Sequence, residues 1–290
     1  MTGATEVNRG SYVALLGLDG SGKSTIARGL TERLAARGHR PRLLRWRDIA
    51  DQGDRTDFPY LSLRQLLMEG WRTRYGGATD AASLRVQHGP LVFEDFKRAG
   101  LDRGPASPAD IHSSGVMASA VLEFTAELLI HAEILGGYLS NGETVVAESF
   151  GYKNIMKALR VAKDIPRGDV SPDFIARTSE FIADAYSSRF LQPDVGVLLK
   201  VAPEECHRRI TTRRSGVGAL EDLGFAGRAG RSSFIELQGA LLAEYEQMAA
   251  GWGWHLVDLT DASAEEALDA VADVVMADLS SARSTADLRS

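Results

Sequence analysis

The sequence has one cysteine in 290 residues, Cys206, which excludes a disulfide framework and any zinc site built from cysteines within the chain. No apolar run reaches the roughly 18 to 20 residues that cross a bilayer. The best candidates, Val121 to Leu135 and Val195 to Val201, are short and carry Glu or Lys. Positive charge is not in excess: 33 Lys and Arg against 39 Asp and Glu leave a formal net charge of −6. Nucleic-acid binders usually show the opposite, a basic surface that grips phosphate backbones. Met1 to Ser11 lacks the apolar core of a signal peptide, and no segment repeats. From these absences we expect a cytoplasmic protein with neither membrane nor nucleic-acid partners. The remaining composition, 44% hydrophobic and 25% charged, suits one domain able to bury a real core.

The chain is organised around Gly17-Leu18-Asp19-Gly20-Ser21-Gly22-Lys23-Ser24-Thr25. The stretch follows the apolar run Tyr12 to Leu16 and opens a helix-forming segment, Ile26 to Ala36. This is G-x-x-x-x-G-K-[ST] in the strand–turn–helix context it requires. Glycines let successive backbone N–H groups turn toward phosphate oxygens, and the helix N-terminus adds partial positive charge. Gly17, Asp19, Gly20, Ser21, Gly22, Lys23, Ser24 and Thr25 are therefore expected to hold ATP. Lys23 would reach the β- and γ-phosphates, and the Ser24 hydroxyl suits Mg²⁺, a hard ion that takes oxygen ligands.

Further along, strands are expected at Arg42 to Trp46, Thr144 to Ala147, Val195 to Val201 and Trp254 to Leu259. Helices are expected at Val116 to Leu139, Tyr152 to Lys163, Pro172 to Phe190, Glu204 to Arg214, Ser233 to Met248 and Ala264 to Leu279. Residues 48–115 read as a helical insertion, with helical patches at Leu61 to Trp71 and Ala81 to Phe96. Its Arg64, Arg72, Arg74 and Arg85, with Trp71 and Tyr75, fit solvated helix faces over packed aromatics better than a basic ligand patch. Residues 215–231 are glycine-punctuated and carry Arg228, as a flexible lid would, and 281–290 read as a disordered tail.

Alternating strands and helices behind a first-strand phosphate loop specify an α/β fold with a parallel sheet, whose ligands bind beyond the carboxyl ends of the strands. That rule gathers Gly17 to Ser24, Arg47-Asp48, Glu148 and Thr260-Asp261 on one rim. Phosphoryl transfer needs positioning, Mg²⁺, charge neutralisation and a base for the acceptor hydroxyl. Lys23, Ser24 and the lid arginines can supply the first three, and Glu148 or Asp48 the base; Glu148 is also a candidate metal ligand. His131 and His255 read as structural, and Cys206 as helix packing. No Asn-Lys-x-Asp guanine motif occurs.

The phosphate loop resembles that of adenylylsulfate kinases as far as about residue 30. The whole layout resembles the thymidylate kinase and deoxynucleoside kinase group. The matching pieces are Gly17 to Thr25, Arg47-Asp48 after strand two, Val145-Val146-Ala147-Glu148-Ser149-Phe150, Gln192-Pro193-Asp194 into strand four, and Arg209-Ile210-Thr211-Thr212-Arg213 before the lid. The resemblance implies a single P-loop kinase domain over residues 1–290: a three-layer P-loop NTPase fold with a five-stranded parallel sheet flanked by helices. It also implies that Arg209 and Arg213 serve ATP, that Arg213 and Arg228 act in catalysis, that Arg47 faces the acceptor, and that the long helix 116–139 can pair two copies as a homodimer.

The chain departs from that pattern where the family holds an acceptor's phosphate. Ser149 replaces the Arg of Asp-Arg-Tyr, and the long helix has no arginine at Ile130-His131-Ala132-Glu133-Ile134. Burying a dianionic phosphate without charged partners costs on the order of several kcal/mol. With Asp48, Glu127, Glu133 and Glu148 on that side beside Arg47, we expect a small non-phosphorylated acceptor: a nucleoside, amino sugar or aminocyclitol. The alternatives are a dTMP kinase and a non-catalytic ATP-binding module.

Overall fold

The computed structural model describes residues 9–50, 55–75, 111–165, 169–214, 216–218 and 220–287. Its centre is β1 (Tyr12–Gly17), in which all six residues are buried. Such a run can only sit between neighbours on both edges and layers on both faces. β3 (Thr144–Ala147) pairs with it on one side and β4 (Val195–Lys200) on the other; β2 (Pro41–Leu44) and β5 (His255–Asp258) close the edges. All pairings are parallel, in the order β2-β3-β1-β4-β5.

The crossovers supply the flanking helices: α1 (Lys23–Ala36), α2 (Trp46–Ala50), α3 (Tyr60–Tyr75), α4 (Ser113–Leu129), α5 (Gly136–Ser140), α6 (Tyr152–Asp164), α7 (Pro172–Tyr186), α8 (Pro203–Arg213), α9 (Arg231–Trp252) and α10 (Ala264–Asp287). A π-helical turn, Ile130–Leu135, joins α4 to α5. By length and a mean hydropathy of 1.3, Ser113–Ser140 is apolar enough to cross a membrane, which the sequence reading did not find. Here it is a core helix: α4 packs between α3 and α6. Leu63 of α3 meets Ala126, Ile130 and Ile134 there in a second apolar cluster.

Several boundaries differ from expectation. Strand two stops at Leu44, because the Arg45 carbonyl already accepts the Asp48 and Ile49 N–H groups and starts α2. Arg47 and Asp48 therefore ride on a helical turn. α7 ends at Tyr186, four residues short of Phe190. α10 runs to Asp287, so most of the tail expected to be disordered is helical. The helix expected at Ala81 to Phe96, with Arg85, lies outside the described residues.

An aromatic cluster fixes the segment after β3. Phe150 is fully buried, with ring centroids 4.9 Å from Trp254 and 5.1 Å from Tyr186. The Glu148 N–H donates to the Leu44 carbonyl at 3.0 Å and the Phe150 N–H to the Leu15 carbonyl at 2.8 Å. Residues 148–150 are thus clamped across the ends of β2, β3 and β1, beside the phosphate loop.

Candidate active site

The loop between β1 and α1 turns through Gly20 (φ +85°) and Gly22 (φ +94°), conformations that side chains resist. At Gly20 a Cβ would lie 2.6 Å from the Cys206 carbonyl oxygen, so α8 presses directly on the loop; at Gly22 it would point into open space at the start of α1. Lys23 curls over the loop and donates to the carbonyls of Gly17 (3.0 Å) and Leu18 (2.6 Å). Burial, with Lys153 adding to it and Asp19 opposing, pushes its ammonium down to about 7. An open, glycine-turned cradle at a helix N-terminus with a buried ammonium beside it fits a nucleotide's phosphates.

On the opposite lip, the Ser24 hydroxyl donates to Glu148 Oε1 at 2.5 Å. Glu148 Oε2 lies 3.9 Å from Arg45 Nε, which in turn bonds Asp48 Oδ2 at 2.7 Å. Ser24 and Glu148 are adjacent hard oxygen donors. They fit Mg²⁺, which completes its shell with water and phosphate oxygens. Among the described residues no cluster of three or more His, Cys, Asp or Glu is placed to hold a metal.

Sequence reasoning missed what Asp19 does. Its buried carboxylate accepts from both Lys153 and Lys157, the latter at 2.8 Å. Burial alone would raise it, but Lys153, Lys157 and Lys23 outweigh that and hold it well below the usual carboxylate range. The signal was available: two lysines four apart on one face of the strongly amphipathic α6, on its buried side.

Beside this cluster is a cavity of about 220 Å³ between α3, α4, α6 and the segment after α8. Trp46, Leu67 and Trp71 form its apolar walls, and Ser119, Asn154 and three basic side chains its polar ones. Each base already has a carboxylate partner: Arg74 with Glu123, Lys157 with Asp19, and Arg214 with Glu221. Arg74 is buried and Trp71 lines the cavity, so these two belong to a cavity wall and not to a solvated helix face. Arg64 is half-buried and donates to the Arg55 carbonyl at 3.1 Å; the side chains of Arg72 and Tyr75 lie outside the described residues. A second cavity of about 30 Å³, lined by Tyr12, Glu127, His131, Ser149 and Gly151 among others, shares Trp46 and Asn154 with the first.

Other expected residues are spread more widely. Asp48 is tied to Arg45, while the side chain of Arg47 lies outside the described residues. Ser21 Oγ accepts weakly from Lys23 at 3.4 Å, and Thr25 is exposed. Arg209 bonds Glu205 at 2.6 Å and the Leu259 carbonyl at 3.2 Å, bracing α8 against the end of β5. Arg213 is exposed in the last turn of α8, and Arg228 pairs with Glu236 at 3.0 Å on the surface. Glu133 is exposed and lines neither cavity. Six residues on from Glu127 and inside the π-helical turn, it faces solvent. The described part of 215–231 is an ordered turn: buried Asp222 accepts the N–H groups of Gly224 (2.8 Å) and Gly230 (2.9 Å). Its Gly218, Leu220 and Glu221 cover the larger cavity. His131, Cys206 and His255 are structural, as read: His131 Nδ1 sits 3.2 Å from the Phe190 carbonyl, Cys206 is buried, and His255 pairs with Asp278.

Five parallel strands flanked by helices, with the phosphate loop joining the central strand to α1, make this a P-loop NTPase fold in the arrangement of thymidylate kinases. A solved structure of thymidylate kinase from Candida albicans is similar over 93% of this chain and 92% of that chain, with a TM-score of 0.53 and 14% sequence identity. No protein-family model matches the sequence, and no curated protein matches it significantly.

Proposed function

We propose that the protein is an ATP-dependent phosphotransferase that passes the γ-phosphate to a hydroxyl of a small, non-phosphorylated acceptor held in the 220 Å³ cavity. The observation that carries this reading is the charge state of that cavity. Its wall residue Lys157 bonds Asp19 of the phosphate loop, and all three of its cations are already matched by carboxylates. A dianionic phosphate would have to break those pairs, while hydroxyls can use them as hydrogen-bonding walls.

In this reading the triphosphate lies along Gly20 to Thr25, and Lys23 exchanges its two carbonyl partners for phosphate oxygens. Ser24 and Glu148 would hold Mg²⁺, which supplies charge neutralisation of the phosphates. Glu148 Oε2, turned away from Ser24, takes the acceptor's proton. The hydroxyl oxygen forms its bond to the γ-phosphorus as the bond to the β–γ bridging oxygen breaks, and ADP leaves. Asp48 is engaged by the Arg45 guanidinium; its part is to position Arg45.

A second reading, phosphorylation of a nucleoside monophosphate, is favoured by the presence of Arg74, Lys157 and Arg214 around one cavity and by the fold shared with a thymidylate kinase. ATP consumption with Mg²⁺ against dTMP, thymidine and other nucleosides, amino sugars and aminocyclitols, with product masses recorded, separates the two. A product one phosphate heavier than a neutral or cationic acceptor is expected. Turnover of dTMP at the rate of the best hydroxyl acceptor overturns the first reading, and ATP binding without consumption overturns both.

A further inference from the structure

The 30 Å³ inner cavity is an acidic seat with no cation in it. Glu127 enters from α4, its carboxylate placed where Gly151 has no side chain: a Cβ on Gly151 would fall 2.2 Å from Glu127 Cδ and 2.4 Å from Oε2. Among the described residues no hydrogen bond or ion pair engages Glu127. Burial, with Glu123 adding to it, pushes its carboxyl up to about 8, and no positive group opposes the shift. The neighbouring His131 does not supply one either, because burial holds its imidazole neutral, down to about 4. A second group in the same cavity also lacks a partner: the Ser149 Oγ is buried with nothing to bond. The buried, unsatisfied Ser149 hydroxyl is costly in the empty state, and the half-buried Glu127 carboxyl lines the same small space. Trp46 and Asn154 form part of its wall and of the outer cavity's, so the two spaces are adjacent.

We propose that the inner cavity seats a protonated primary amine of the acceptor, its three N–H groups donating to the Glu127 carboxylate, the Ser149 hydroxyl oxygen and the Asn154 side-chain oxygen. An ammonium has three donors and no acceptor, matching a site that offers acceptors. A neutral hydroxyl would satisfy Ser149 but bring no charge to draw the proton off Glu127, whereas an ammonium favours the ionised carboxylate beside it and a phosphate would disfavour it. The proposal rests on the phosphotransferase reading in that the occupant is the acceptor. Its amine is anchored beneath Trp46 while the hydroxyl to be phosphorylated stays in the outer cavity near Glu148 and Lys157.

The test is calorimetric binding, without ATP, of matched pairs to the full-length protein: 3′-amino-3′-deoxythymidine with thymidine, glucosamine with glucose, and 2-deoxystreptamine with scyllo-inositol. The expected result is that in at least one pair the amine binds about tenfold tighter or more, as a charge-assisted contact should. Glu127→Gln should abolish that preference, and Ser149→Ala should weaken it without abolishing it. No preference in any pair, no binding by any amine, or a preference unchanged by both variants overturns the proposal. Product mass with ATP is read separately. Amine preference without ADP formation defeats the phosphotransferase reading alone, whereas equal phosphorylation of amine and parent defeats only the amine seat.

Discussion

Ser24 and Glu148 stand 124 residues apart in the chain and share a hydrogen bond of 2.5 Å. The first opens α1 and the second follows β3, so their contact exists only because β3 is hydrogen-bonded beside β1 in parallel register. Glu148→Gln keeps the shape and an acceptor for Ser24 but removes the charge and the basicity. We expect kcat to fall by about 10²- to 10⁴-fold, the usual weight of a general base, with the melting temperature unchanged. Turnover near the wild-type value would leave Glu148 a structural strand end.

Lys23 reaches the loop carbonyls of Gly17 and Leu18 from a buried position. Lys23→Ala should lower turnover by roughly 10²- to 10³-fold, the scale of losing one preorganised charge, while circular dichroism shows the fold retained. Near wild-type activity would refute its assignment to the γ-phosphate.

Asp19 holds two buried lysines under the phosphate loop. Asp19→Asn leaves Lys153 and Lys157 without their carboxylate, which for buried pairs costs about 3–5 kcal/mol. At roughly 2–4 °C per kcal/mol for a chain of this size, thermal unfolding should show a clear drop. Lys153→Met added to Asp19→Asn should recover part of it. An unchanged melting temperature in Asp19→Asn would mean that the lysines are well solvated.

Glu127 titrates in the folded protein at about 8 instead of near 4.5. Between those values the folded state keeps a proton that the unfolded chain has released, so this group makes stability fall as pH rises through that window. The groups facing it are Glu123 on its own helix, Tyr12, Tyr186 and the neutral His131. Glu127→Gln removes the slope. Its melting temperature should exceed that of the wild type at pH 8.5 by at least roughly 2–4 °C, with the gap closing toward pH 5. Parallel curves for the two proteins would place Glu127 in contact with solvent.

Much of the architecture was legible from local pattern. β1, β3 and β4 read correctly because strands buried on both faces need near-continuous apolar sequence, and the turn through Gly20 and Gly22 into α1 was legible because those backbone conformations demand glycine. The edges read less well: β2 gave way to α2 at Arg45, and α10 outran its apolar pattern. Arg74 and Trp71 were harder, since nothing local distinguishes an arginine on a solvated face from one buried in a pocket wall. That depends on α4 lying against α3.

Residue type and spacing along the chain thus determined the glycine-turned loop and the parallel sheet, because each arises from neighbours within a few residues or from burial on both faces of a strand. The two cavities were decided by tertiary structure alone. Asp19 with Lys153 and Lys157, Glu127 against Gly151, and Arg214 with Glu221 over the larger cavity are contacts set by which helices cross above the sheet. Glu127 lines the inner cavity and Glu133 does not, for one physical reason: a helix shows only one face to a pocket, and packing chooses which.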